Sequence, residues 1–430
     1  MFGSVGLQRR VACALSILFL SFQSAGFAQS LRGHGGPVRA LAVSSSGKTL
    51  ISGGFDQTAI VWDLPSSTAK AVLRKHSSAV NAVAALPEDR FATGGDDGEI
   101  FIWSAGGQEP VKKLEGFSSP VSSLAVSPNG ERLAAGGWDG AIRIFSLREE
   151  KAPQVLSGHS QHITALAYLP DGTLVSADAD LTMRLWAAAR DAKLISLAAP
   201  VNRVAIASHE IILACADGRL RFFAFTGEAR GELETGQSPL TALAVDKAGA
   251  KAAAGSIDGR VYIFDAIAKR VERQALSPGL PVWALAYLPD GGHFFAAGGD
   301  GIVRRWNAAT GELDGPAAVN LTESIPFELR KTRGAEVFRA CVACHTISST
   351  DAPRAGPTLH RVMGRPIATA PNYIYSEAFP KLGIVWTKET ISKLFEIGPH
   401  AYTPGTKMPE QRLNAADRAA LIEFLEHATR

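Results

Sequence analysis

The chain has 430 residues and a formal net charge of +3, and 46% of its residues are hydrophobic, which is enough for more than one packed core. No run of lysine and arginine is dense enough to indicate a nucleic-acid-binding protein. The cysteines predict no disulfide framework, because Cys341 and Cys344 belong to one short motif and Cys13 lies in a leader-like segment. Cys215 stands alone in an apolar run and is predicted to be a buried, inert thiol.

Residues 1–28 have the composition of an export signal. The Arg9-Arg10 pair forms a basic start, residues 11–22 form an apolar run too short to span a bilayer, and residues 26–28 offer the small side chains that a signal peptidase reads. We therefore expect a mature periplasmic protein that begins near Gln29. An uncleaved membrane anchor is the alternative interpretation.

Residues 29–316 are predicted to contain seven repeats of about 40 residues each. Every repeat has an alternating apolar strand, a strand of small residues, an aspartate and, six positions later, an aromatic residue. The pairs are Asp56 with Trp62, Asp97 with Trp103, Asp139 with Phe145, Asp180 with Trp186, Asp217 with Phe223, Asp258 with Phe264 and Asp300 with Trp306. This pattern is typical of β-propeller blades and predicts a seven-bladed ring.

The repeats resemble the WD-repeat family of β-propellers over about two-thirds of the chain. The resemblance rests on the Gly33-His34 and Gly158-His159 pairs, the Trp62-Asp63 dipeptide and the Ser127-Pro128-Asn129-Gly130 turn. It implies an all-β domain in which the turn aspartates accept hydrogen bonds and have no catalytic role. The implied network in the first repeat consists of His34, Ser52, Asp56 and Trp62.

The same resemblance implies how the ring closes and where it is exposed. The Ser30 to Arg32 stretch should pair with the strands of the last repeat, residues 282–306, which removes the free strand edges. Phe55, Trp138 and Trp283 either form an exposed aromatic contact patch or pack between blades, and the sequence leaves both possibilities open.

A C-x-x-C-H run, Cys341-Val342-Ala343-Cys344-His345, is the strongest chemical motif in the chain. Two thiols at this spacing can bond to the two vinyl groups of one porphyrin, and the next residue places an imidazole under the iron. A zinc site or a thioredoxin-like redox site is the alternative, but the sequence shows neither further ligands nor that context. The motif predicts one covalently bound haem c with His345 as an axial iron ligand.

A second axial ligand is predicted at Met408. This methionine lies in a loop pinned by proline and glycine, residues 404–409, where it has no helical or strand pattern to join. Met183 falls inside the propeller and Met363 has no such loop around it. Ligation by His345 and Met408 would leave the iron closed and suited to electron transfer.

Residues 317–328 are predicted to be a linker, and residues 329–430 a small all-α domain. Helical spacing extends from Thr332 to Cys344. A second amphipathic helix covers Ala415 to His427, with Asn414 as its N-cap and Leu421, Phe424 and Leu425 on its buried side.

This domain resembles class I cytochromes c of the mitochondrial and c2 type. The matching landmarks are Cys341, Cys344, His345, Gly356 to His360, Gly364-Arg365, Tyr373, Tyr375, Trp386 and Pro404 to Met408. The resemblance implies that the Pro357 carbonyl accepts a hydrogen bond from the His345 ring. It further implies a haem environment in which Arg365, Tyr375 and Trp386 surround the propionates and Thr406 braces the Met408 loop.

Two departures from this family bear on function. Phe379 and Phe395 stand near Met408 where the family usually has polar groups, which implies a thinner hydrogen-bond network around the thioether. The usual ring of docking lysines is sparse, because only Lys407 remains where His400 and Ala401 replace common lysine positions. Partner recognition is therefore expected to come partly from the propeller.

Three functions are compatible with these observations. The first is an exported c-type cytochrome that transfers single electrons and docks a redox protein, such as a dehydrogenase, reductase or oxidase, through its propeller. The second is a redox or ligand sensor, which requires an open sixth iron site. The third is a propeller enzyme that passes electrons to its own haem, although the propeller histidines lack metal-ligand spacing. We expect the first, with no catalytic residues, no nucleic-acid partner and no membrane span in the mature form.

Overall fold

The computed structural model describes residues 30–187, 192–278, 281–314 and 325–430, except positions 340, 343, 350–352, 372, 374, 376–377, 407 and 409–410. The predicted export signal and most of the predicted linker lie outside the described residues. Among the described residues, no helix is both long and apolar enough to cross a membrane.

In the residues that the structure describes, the N-terminal part contains 28 strands in seven sheets. Strand β1 is Ser30–Leu31. The first blade has β2 (Val38–Val43), β3 (Thr49–Gly54), β4 (Ala59–Asp63) and β5 (Thr68–Leu73). The second has β6 (Val80–Leu86), β7 (Arg90–Gly95), β8 (Ile100–Ser104) and β9 (Lys112–Leu114). The third has β10 (Val121–Val126), β11 (Arg132–Gly137), β12 (Ile142–Ser146) and β13 (Gln154–Leu156).

The remaining blades follow the same plan. The fourth has β14 (Ile163–Tyr168), β15 (Leu174–Asp178), β16 (Thr182–Trp186) and β17 (Lys193–Ser196). The fifth has β18 (Val201–Ile206), β19 (Glu210–Cys215), β20 (Arg219–Ala224) and β21 (Ala229–Glu234). The sixth has β22 (Leu240–Val245), β23 (Lys251–Ser256), β24 (Arg260–Asp265) and β25 (Arg270–Leu276). The seventh has β26 (Val282–Tyr287), β27 (His293–Gly298) and β28 (Val303–Asn307).

The seven sheets form a closed β-propeller. Each sheet is antiparallel with its strands in chain order, and the first strands of neighbouring blades contact one another from β2 round to β26 and back to β2. Strand β1 supplies the fourth strand of the last blade, with Ser30 opposite Arg304 and Leu31 opposite Val303. The predicted closure of the ring is confirmed, and it leaves no long unpaired strand in that blade.

A buried hydrogen-bond chain orders the first blade. Trp62 Nε1 donates to Ser52 Oγ over 2.8 Å, Ser52 Oγ lies 2.7 Å from His34 Nε2, and His34 Nδ1 lies 3.0 Å from the Asp56 carboxylate. Asp56 also accepts from the Gly35 backbone N–H over 2.7 Å. The predicted network is therefore present, and it fixes the loop before β2.

The second blade contains the same chain of hydrogen bonds, which was not predicted from the sequence. His76 Nδ1 lies 3.0 Å from Asp97, and its Nε2 lies 2.8 Å from Thr93 Oγ1, which accepts from Trp103 Nε1. His76 precedes Asp97 by 21 residues, nearly the 22 that separate His34 from Asp56. That spacing was the available signal, and the missing Gly-His pair concealed it.

The fourth blade requires a correction. Our pattern assigned the structural role to Asp180, but the aspartate beside the blade histidine is the buried Asp178, whose carboxylate lies 3.0 Å from His159 Nδ1 and accepts from Thr182 Oγ1 over 2.9 Å. Asp180 instead accepts from the Ser160 hydroxyl. Asp180 therefore accepts a hydrogen bond, as predicted for a turn aspartate, but the contact with the blade histidine is made by Asp178, because an offset along the chain does not show which of two nearby carboxylates points into the blade.

The C-terminal part has few helices. They are α1 (Arg333–Phe338), α2 (Lys388–Ile397), α3 (Pro399–Tyr402) and α4 (Ala415–Ala428), with 3-10 turns at Phe327–Leu329 and Phe379–Leu382. Phe338 packs on Phe424 with ring centroids 4.9 Å apart, so that α1 and α4 share one core.

The predicted helix from Thr332 to Cys344 is shorter in the structure. Thr332 caps α1 by accepting from Ala335 N, but the helix ends at Phe338. The Cys341 N–H bonds to the Phe338 carbonyl three residues back, which replaces the four-residue helical pattern by a turn. The predicted cap and buried side of α4 are confirmed.

Candidate haem site

One cavity in the C-terminal part brings together all nine residues predicted for the cofactor. They are Cys341, Cys344, His345, Pro357, Arg365, Tyr375, Trp386, Thr406 and Met408. Apolar side chains from α1, α2 and α4 line the rest of the cavity, among them Phe338, Leu394 and Leu425. This is the environment that a large, flat, mostly apolar cofactor requires.

His345 is held in one orientation. Its Nδ1 donates to the Pro357 carbonyl over 2.7 Å, which is the hydrogen bond implied by the resemblance and leaves Nε2 as the nitrogen that can bind a metal. Burial lowers the pKa of His345, which favours the neutral, ligating form. A Cβ at Gly356 would lie 2.6 Å from Cε1 of this ring, so only glycine permits the close approach.

Both cysteine thiols lie in the same cavity wall. Burial raises the pKa of Cys341 to about 12, and burial with the nearby charge of Asp56 raises the pKa of Cys344 to about 12 as well. Their environment therefore disfavours the thiolate form of both cysteines, although Cys344 is only partly buried. Neither cysteine is paired in a disulfide.

The Met408 loop forms a further part of the cavity wall. The Met408 N–H donates to Thr406 Oγ1 over 3.1 Å, and Thr406 N donates to the Thr403 carbonyl over 3.1 Å. Phe379 and Phe395 line the cavity together with Met408. The cavity that Met408 lines is therefore also lined by aromatic carbon, whereas a thin hydrogen-bond network around the thioether was predicted from the sequence.

A polar cluster lies at another wall of the cavity. Arg365 donates to the His360 carbonyl over 2.8 Å and to the Thr358 carbonyl over 2.6 Å, while its backbone carbonyl accepts from Trp386 N over 3.0 Å. The Tyr373 and Tyr375 rings pack edge to face with centroids 4.6 Å apart. The Arg365 guanidinium and the tyrosine hydroxyl groups can donate hydrogen bonds to the carboxylates of a haem, which apolar side chains cannot do.

Comparison with known proteins identifies this part of the chain. The cytochrome c family profile matches residues 332–429. Cytochrome c 2.1 of Caenorhabditis elegans is 44% identical over 96 residues, which are 22% of this chain and 85% of that protein. Cytochrome c type-1 of Ascaris suum is 42% identical over 95 residues, which are 22% of this chain and 83% of that protein. Cytochrome c2 of Rhodomicrobium vannielii is 38% identical over 94 residues, which are 22% of this chain and 74% of that protein.

The chain belongs to the cytochrome c family. Residues 332–429 form a cytochrome c domain, here called the haem domain, and membership implies a haem c cofactor and a role in electron transfer. The profile of the WD domain, G-beta repeat, matches residues 26–63, 67–104, 108–146, 150–187 and 276–307. The structure supplies the two blades without a match, the fifth and sixth, and the predicted count of seven is confirmed.

The residues of the cavity fit haem c. Paired buried thiols, an oriented imidazole and a thioether are the groups that attach and ligate this cofactor, and Gly356 leaves the space that the His345 ring needs.

Several site residues of this cytochrome were not predicted. Arg354 donates to the His345 carbonyl over 3.1 Å and also bonds to the Val342 carbonyl, so it braces the C-x-x-C-H turn. The propeller contributes to the same cavity with Asp56, Thr58, Arg74, Lys75, His76 and Ser77. No local signal marks these propeller residues, because their proximity to the haem domain depends only on how the two parts pack.

Proposed function

We propose that this protein is an exported class I cytochrome c that transfers single electrons through one covalently bound haem c. The observation that carries the proposal is the convergence of Cys341, Cys344, His345 and Met408 on one cavity. Haem c bound there supplies a one-electron couple. No active site in the propeller is needed for this function.

The residues around the cavity would orient the haem and shield it from water. His345, oriented by Pro357, and Met408, held by Thr406, would hold the iron of haem c, and ligation by both would suit electron transfer rather than the binding of an external ligand. The apolar walls exclude water, which keeps the reorganisation on electron transfer small. The polar cluster at Arg365 and Tyr375 receives the propionates.

Ligation by Met408 has a spectroscopic test. Ferric protein from a host that matures c-type cytochromes should show the weak absorption band at ~695 nm that accompanies methionine ligation. Met408→Ala should abolish the band, whereas Met363→Ala, which changes a partly buried methionine beside the same core, should keep it. A band that survives Met408→Ala, or ferrous wild-type protein that binds carbon monoxide readily, would contradict this ligation and favour the sensor function.

Attachment and export are tested together by intact mass. We expect the mature chain to begin at Gln29 and to carry the mass of one haem that persists after denaturation, because thioether bonds survive unfolding. Cys344→Ala should weaken this retention, and Cys215→Ala, which removes a buried thiol of the propeller, should not change it. A chain that retains residues 1–28, or haem lost on denaturation, contradicts the corresponding part of the proposal.

We further propose that the propeller docks a redox protein on the face that carries the loops between the second and third strands of each blade. Large apolar side chains are exposed there immediately before the turn aspartates, at Phe55, Trp138 and Ile257. Phe55 packs edge to face on Trp283, which is a contact between the first and seventh blades, and Phe55 itself stays exposed, while Trp138 stands beside His162. Exposed aromatic groups of this kind anchor protein partners.

A further inference from the structure

The propeller and the haem domain meet at the rim of the haem cavity. The Ala355 N–H donates to the Gly33 carbonyl over 2.8 Å. Arg74, which follows the last strand of the first blade, donates from Nε to the Ala355 carbonyl over 3.2 Å and from Nη2 to the Arg354 carbonyl over 2.5 Å. Three backbone groups of the haem domain are thus fixed directly by the propeller.

Gly35 lies directly against the second thiol of the C-x-x-C-H motif. A Cβ at position 35 would lie 1.9 Å from Cys344 Sγ and 3.3 Å from Cys344 Cβ, and the next nearest atom is Ala355 Cβ at 3.9 Å. All three of these neighbours belong to the haem domain. The propeller loop therefore approaches the sulfur as closely as a chain without a side chain can.

Arg74 extends this contact into the cavity. Its guanidinium lies over the Tyr373 ring, with Cζ 4.2 Å from the ring centroid, and its side chain lines the cavity with that of Tyr373. Burial lowers the pKa of Arg74, and the interaction with Tyr373 opposes this shift. A guanidinium remains charged in such a position, so the propeller places a positive charge beside the polar cluster of the haem domain.

We propose that the propeller is a functional wall of the haem site. Gly35 seals the edge of the cofactor that is attached through Cys344, and Arg74 is a positioning residue that sets the electrostatic field at the cavity rim. The inference rests on the proposed attachment of haem c. Both effects favour the ferrous state, because excluded water and a nearby cation each disfavour the extra positive charge of ferric iron.

A one-carbon change at Gly35 tests the seal. Gly35→Ala should push the two parts away from each other without disturbing the blade and should lower the reduction potential. Because the opened wall would let ascorbate approach the haem more closely, the reduction of ferric protein should be at least threefold faster in stopped flow despite the smaller driving force. Gly36→Ala is the matched control, because a Cβ there meets only atoms of the propeller, the nearest at 3.5 Å. Equal potentials and equal rates in the two variants would overturn the seal.

Substitution of Arg74 separates charge from packing. Arg74→Gln should reduce the equilibrium constant for haem reduction about tenfold, a fall in potential of about 59 mV for a one-electron couple. Arg74→Lys retains the charge and should stay close to the wild type, as should Arg148→Gln, which removes an exposed arginine paired with Glu131. An equal fall in Arg74→Lys and Arg74→Gln, or no fall in either, would overturn the electrostatic role.

Different experimental results would contradict the proposed role of the propeller at the haem site and the proposed electron-transfer function. If the methionine band is present and lost in Met408→Ala while the variants at positions 35 and 74 match the wild type, the haem domain works as proposed and the propeller is not part of its site. If the variants change the potential although the methionine band is absent, the wall stands and the ligation by Met408 is wrong.

Discussion

At the scale of the residue, Ser52 shows how much one small side chain controls. Its hydroxyl accepts from the Trp62 indole and lies within hydrogen-bond distance of His34, and all three side chains are buried. Because His34 also contacts Asp56, the chain reaches the Gly35 loop that faces the haem domain. A packing detail inside the first blade is therefore connected to the geometry of the cofactor site.

Removing this hydroxyl should destabilise the propeller. Ser52→Ala leaves the buried Trp62 N–H without an acceptor and His34 Nε2 without a donor, which should lower the free energy of unfolding by about 1–3 kcal/mol. Chemical denaturation followed by tryptophan fluorescence measures the change. Ser45→Ala, at an exposed turn residue, should change stability by less than about 0.5 kcal/mol. Equal stabilities of the two variants would contradict the role of the buried chain.

At the scale of the element, neighbouring residues determine a helix end where no tertiary contact competes with them. Asn414 accepts from Asp417 N and begins α4, as predicted, because an N-cap needs only residues close in sequence. Helix α1 begins at its cap for the same reason but ends six residues earlier than expected, at Phe338. Its end is decided by the turn that carries Cys341 and Cys344 to the cavity.

The strands of the blades also depend on more than the residues of the family motif. The fifth and sixth blades have the same four-stranded sheet as the others, although their sequences have drifted from the family pattern. Their second strands are buried almost throughout: in β19 (Glu210–Cys215) and β23 (Lys251–Ser256) every residue after the first is buried, as the core of a blade requires. The motif residues are thus dispensable where the apolar pattern is kept.

At the scale of the whole molecule, the propeller presents two different faces. Loops between second and third strands lie on the face that contacts the haem domain through Gly35 and Arg74, and loops between third and fourth strands lie on the opposite face, since successive strands run antiparallel. Trp138 is 58% exposed on the first face, and Ile267 is 71% exposed on the second. This pair offers a matched test of docking.

Electron exchange with the native redox partner should depend on one face only. Trp138→Ser should slow the second-order rate several-fold by removing an apolar anchor, and Ile267→Ser should leave it unchanged. Stopped-flow mixing with the purified partner measures both rates, and the potentials of the two variants should equal that of the wild type. Equal rates for the two variants would exclude this docking face.

The amino-acid sequence alone was enough to predict a haem-binding motif and the repeat architecture of the propeller. The C-x-x-C-H spacing, the pinned Met408 loop and the regular offset between aspartate and aromatic residues are local patterns, and local patterns can be read without coordinates. All nine predicted site residues meet in one cavity for this reason, since each belongs to a motif within the haem domain. The fourth blade shows what spacing does not predict, because the aspartate that contacts His159 is the buried Asp178 and not Asp180.

The propeller residues that line the haem cavity are brought there by three-dimensional packing alone. Arg74 and Ala355 are 281 residues apart in the chain, and neither carries a motif that points to the other. Their contact depends on the shape of two separately folded surfaces and on the absence of a side chain at Gly35. Complementarity of this kind is a property of packed surfaces, so it has no periodic or local signature in the sequence.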